Sequence, residues 1–217
     1  MNSEPRTTLL LGGLGLALVG LHELLPFALN WMSASYGLES VIRSAAAQSA
    51  QLVVLLASCI VLAFGFRHEK GIVGTSVLGR AALLLVGLAL PVQALASWAV
   101  LRGAASDTGP ALVFVTALYL LPIVAMSVAA VVVARRRVLE GFARWALIGV
   151  AAAELLVFVL ISIPSADQDY TTALVLYITA TPPLLLTIAG ITYAAYGRSA
   201  AIRRRVRSVY RQWRMTT

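Results

Sequence analysis

The sequence predicts an all-α, polytopic membrane protein: a bundle of six transmembrane helices followed by a C-terminal amphipathic basic helix. Three observations predict it. First, 60% of the 217 residues are hydrophobic and only 12% are charged, against about 45–50% and about 25% in soluble domains. So little charge cannot cover a water-facing surface, which argues against a soluble enzyme, a disordered tail or a secreted disulfide scaffold. Second, six apolar segments reach the roughly 20 residues that a bilayer crossing needs: residues 8–31, 48–66, 77–101, 110–134, 145–163 and 171–196. Third, the basic residues alternate in step with those segments.

All but two of the 17 Lys and Arg fall on one side of the predicted bundle. Arg6 precedes the first span. Arg67, Lys70 and Arg80 separate the second from the third. Arg135, Arg136, Arg137 and Arg144 separate the fourth from the fifth, and the remaining arginines follow the sixth. The opposite loops hold Arg43 and Arg102 with Glu39, Asp107, Asp167 and Asp169. Orientation follows Lys and Arg near the membrane, so both termini are expected in the cytoplasm of a multi-pass cell-membrane protein. The net charge of +8 and the pI of about 10.4 are then signs of topology, and no specific nucleic acid is expected as a partner.

The first span follows Arg6 directly and resembles a signal peptide in outline, but no small-residue cleavage site closes its apolar run. Gly12, Gly13, Gly15 and Gly20 make a close-packing face, for another helix of the bundle or for a second copy. Without a lysine they are no phosphate loop. His22-Glu23-Leu24-Leu25-Pro26 begins like a zinc-protease helix, yet proline stands where the second histidine belongs. With one cysteine and two histidines, no metal site and no cofactor is expected.

The connection 32–47 reads as a turn, then a short interfacial helix or an early start of span two. Cys59, mid-span, reads as packing. Span three carries Pro91 and Gln93, and span six carries Tyr177, Thr179, Thr181 and Pro182-Pro183. The Leu-Leu-Pro runs ending at Pro26 and Pro122 are too common in such a composition to establish an inverted repeat.

Two acidic residues lie inside the spans, Glu23 and Glu154. A charge at the bilayer centre costs about 2.5–3.5 kcal/mol on insertion scales, so each needs a reason. Counted from its span's start, Glu154 is roughly 14 Å deep and Glu23 roughly 22 Å deep. Those depths differ and no sugar-binding aromatics cluster nearby, which argues against a retaining or inverting glycosidase pair. Glu154 is either a proton- or cation-binding group or a neutral hydrogen-bonding link between helices. Glu23, Gln93 and Tyr177 are candidates for a polar pocket in the outer half, with His22 beside them.

Residues 1–197 make the membrane domain and 198–217 the basic tail. In the tail, Ile202, Val206, Val209, Tyr210 and Trp213 share one helical face. Arg203, Arg204, Arg205, Arg207 and Arg211 fill the rest. Such a helix lies at the inner surface, with Trp213 at headgroup level, and its expected partners are anionic lipid headgroups or another protein. Three functions remain open. One is a transporter or channel-like protein for a small solute or ion that uses Glu154. The second is a non-catalytic subunit or scaffold, within a homo-oligomer or larger membrane complex, that presents the tail. The third is a lipid-modifying enzyme, for which no nucleophile, metal cluster or redox motif is present.

Overall fold

The computed structural model describes residues 6–31, 45–67, 69–101, 109–136, 138–139, 141–162 and 180–199. Among these residues the structure is all helical, with no strand. The α-helices are α1 (Arg6–Trp31), α2 (Ala45–Phe64), α3 (Val77–Leu101), α4 (Gly109–Arg136), α5 (Ala146–Ser162) and α6 (180–199). One 3-10 turn, Gly141–Arg144, joins α4 to α5. The helices overlap the six predicted apolar segments. Within the described residues, Arg6–Ala28 and Ala46–Phe64 are long and apolar enough to cross a membrane.

Sequential helices pack as neighbours: α1 on α2, α2 on α3, α3 on α4 and α4 on α5. The core between them is aliphatic and small, with Leu16, Leu55, Leu62, Val86, Ala129 and Val150 buried. The opposite faces are also apolar. Leu14, Leu18, Val53, Leu85, Val124 and Leu156 are all exposed. A helix that is apolar all round has no water-facing side.

The first helix meets the last through small residues. A Cβ at Gly13 would lie 2.6 Å from the Gly190 carbonyl and the Ala194 nitrogen, and one at Gly20 would lie 2.6 Å from the Pro183 carbonyl. Gly190 in turn packs against Ala17, and Gly197 sits over the Arg6 carbonyl. The contacts recur at three- and four-residue steps along both helices, the spacing of one helical face. Such a seam allows two backbones to touch and gains van der Waals contact in place of side-chain bulk.

A different face of α1 serves α2. A Cβ at Gly12 would strike Leu62 at 2.5 Å, and Gly15 packs on Ser58. The glycines of span one therefore serve two neighbours within the chain. That occupies the surface that the sequence left available for a second copy.

The α2–α3 loop closes over the start of α1. Gly65 ends α2 with φ 87°, and its N–H reaches the Val61 carbonyl at 2.8 Å, the left-handed C-cap that glycine adopts without strain. The loop then presents Glu69 to the free amides of α1. Thr7 N–H donates to Oε1 at 3.0 Å and Thr8 N–H to Oε2 at 2.7 Å. Thr8 Oγ1 accepts from the Phe66 N–H at 2.8 Å. A carboxylate there satisfies orphan donors and faces the positive end of the helix dipole. Partial burial works against its charge, but the amides of Thr8 and Thr7 outweigh it and hold the carboxyl below its ordinary range.

Arg144 completes the same end. Its Nε donates to the Ala134 carbonyl at 2.6 Å, in the last turn of α4, where a cation complements the dipole.

Candidate functional site

Glu23 lies in the C-terminal half of α1. The Gln51 side-chain amide, from α2, donates to Glu23 Oε1 at 2.8 Å. The pairing follows from the antiparallel register: once Gly12 meets Leu62 and Gly15 meets Ser58, position 23 falls opposite 51. Glu154, from α5, interacts electrostatically with Glu23. Polar side chains of three helices are thus linked, Gln51 to Glu23 by a hydrogen bond and Glu154 to Glu23 through charge.

Glu154 is half-buried. Its neighbours Val150, Ala151 and Ala153 are buried, whereas Ala152, Leu155 and Leu156 are exposed. The small alanines before it leave room for α5 to approach its neighbours.

Tyr193 of α6 lies between α1 and α5: its Cβ lies 3.0 Å from the Cβ position of Gly13 on α1, while its hydroxyl approaches the Leu147 backbone at the start of α5.

The other expected site residues are placed as follows. Gln93 is on α3, with its side chain outside the described residues. Tyr177 and Thr179 lie outside them altogether, as do Arg203, Arg204, Arg205, Arg207, Arg211 and Trp213 of the tail. His22 is half-buried beside Glu23, and its Nε2 is enclosed without a hydrogen bond among the described residues. Hydroxyls at this depth are satisfied within their own helix: Thr187 donates to Pro183 at 2.8 Å and Ser58 to Val54 at 2.6 Å.

Gln51 is the residue that sequence reasoning missed. Amides escape a search for ionisable groups, yet a glutamine inside an apolar helix is a polar group that needs a partner. Among the described residues, no group of three or more His, Cys, Asp or Glu is arranged to hold a metal. Comparison with known proteins finds no matching family, no matching curated protein and no matching solved structure.

Proposed function

We propose that this chain is a small integral membrane protein of six spans, with both ends cytoplasmic, that moves a proton or small cation through a site formed by Glu23, Gln51 and Glu154. The hydrogen bond of Gln51 to Glu23 and the electrostatic interaction of Glu154 with the same carboxyl, within apolar helices, carry the reading. Carboxyls at membrane depth are costly and mark proton relays or ion pathways. A pair of them offers four oxygens to one proton or cation. Gln51 fixes one oxygen of Glu23 and so sets the direction in which the group faces. Glu154 is the coupling group and Glu23 its partner.

The six-span topology draws its support from the exposed apolar faces of the helices and from the one-sided distribution of arginine.

The test uses the full chain in sealed vesicles that contain a pH-sensitive dye, with an imposed sodium, potassium or proton gradient. The wild type is expected to pass protons or exchange them for the cation. Glu154→Gln and Glu23→Gln should abolish the flux while each variant keeps its helical circular dichroism and elutes as one species. Folded variants with wild-type flux would sink the reading, as would a wild type that passes nothing under any of the gradients.

A further inference from the structure

The end of the bundle that holds the α2–α3 loop and the 3-10 turn pairs arginines with aromatic rings. The Arg67 guanidinium lies 5.6 Å from the Phe66 ring centre, Arg80 5.6 Å from Phe64, and Arg144 5.2 Å from Trp145. The loop and the turn adjoin, since Val138 lies against Gly74.

This end is also unusually apolar for one that carries so much charge. Phe142 is 68% exposed and Trp145 54%, beside the exposed Arg135 and Arg136. Val77 and Leu78 are 78% and 65% exposed at the start of α3. Water favours the arginines and penalises the rings. A hydrocarbon core does the reverse. The headgroup layer accommodates both, with rings at the interface and guanidinium groups on phosphate. Among the described residues the acid at this end is Glu69, and both its oxygens are committed to the start of α1. Arg144 is held in place by its Nε bond to Ala134 and its stack on Trp145, which leaves its terminal nitrogens for another acceptor. A guanidinium fork suits phosphate geometry.

We propose that the α4–α5 corner, formed by Arg135, Arg136, Phe142, Arg144 and Trp145, binds the headgroup of an anionic phospholipid. This site is made of residues other than those of the basic tail, and it rests on the reading that the helices cross a bilayer.

The experiment follows Trp145 in the full chain, with Trp31, Trp98 and Trp213 each replaced by Phe. The protein is reconstituted in phosphatidylcholine vesicles in which a minor fraction of lipid, either phosphatidylglycerol or phosphatidylcholine, carries brominated acyl chains that quench tryptophan. Enrichment of the anionic lipid at the corner is expected to be about fivefold for each arginine engaged, seen as stronger quenching by brominated phosphatidylglycerol. The R135Q/R136Q double variant, which alters exposed side chains only, should lose most of that preference. Added inorganic phosphate should not displace the lipid. If it does, the site takes a free anion and the lipid proposal falls.

Equal quenching by the two lipids, or an unchanged preference in the double variant, overturns the site. So does an acidic peptide that binds the detergent-solubilised chain through Arg135 and Arg136 without lipid selectivity, which would make the corner a protein contact. Failure of the chain to float with vesicles after an alkaline wash would refute the membrane reading itself, whereas flotation without lipid preference removes only this site. Ion flux is not read in any arm, so the transport reading stands or falls separately.

Discussion

Gln51 holds Glu23 by a single hydrogen bond of 2.8 Å, donated by its side-chain amide between two antiparallel helices. Both side chains come from largely apolar helices, and the bond joins α1 to α2. Replacing Gln51 by Leu leaves the Glu23 carboxyl without its donor. The expected loss is about 0.6–1.7 kcal/mol, the range for interhelical hydrogen bonds in membranes. Thermal unfolding in detergent measures it. The same variant should also alter cation flux, because the orientation of Glu23 is no longer fixed.

The α1–α6 seam has no room for a side chain. Gly13→Leu would drive a branched side chain into the Gly190 carbonyl and the Ala194 backbone. Overpacking of this kind costs about 1–3 kcal/mol or more, and the lower melting temperature should be matched by Gly190→Leu on the facing helix. At Gly149, where a Cβ would meet nothing within 4 Å, an alanine should leave the melting temperature unchanged or raise it.

Glu69 makes stability depend on acid. Its carboxyl is held below the usual range by the amides of Thr8 and Thr7. A group with a depressed folded-state pKa stabilises the fold above its unfolded-state pKa and loses that contribution as pH falls through the folded-state value. The wild type should therefore lose stability on acidification within and below the ordinary carboxylate range. Glu69→Gln should flatten that part of the profile. Exposure to water screens the interaction, so the neutral-pH loss is expected near the low end for a helix cap, about 0.5 kcal/mol. Melting temperature against pH for the two proteins is the measurement.

Arg144 ties the end of α4 to the start of α5. Arg144→Leu removes the bond to the Ala134 carbonyl and the stack on Trp145, with an expected loss of about 1–2 kcal/mol. Arg144→Lys should recover little, since an ammonium cannot bond the carbonyl through Nε while lying flat on the ring. Chemical unfolding of the three proteins separates the cases.

Much of the helical layout was legible in the sequence. Apolar runs between charged connections mark helices whatever their packing, and α3 begins and ends where its run does, at Val77 and Leu101. Glycines 12, 13, 15 and 20 were readable as packing residues, because an apolar helix has little other use for them. Their sharing between α2 and α6 was not, since one sequence cannot tell which of several antiparallel partners a face will meet. The carboxyl pair was hidden for a related reason. Depth counted along a single helix assumes a common starting plane and cannot tell which helices become neighbours. The role of Glu69 was concealed as well. Its partners Thr7 and Thr8 lie more than sixty positions away, beyond the reach of a local capping pattern.

The seam between α1 and α6 also bears on the order in which the protein is made. Helices are synthesised one after another, and each can pack on its predecessor at once. The groove along Gly13, Ala17 and Gly20 cannot, because its occupant, α6, is the last of the described helices to be made. Until then α1 carries an unfilled backbone face. A chain truncated before residue 180 would keep its early hairpins while leaving α1 open to any other small-faced helix nearby.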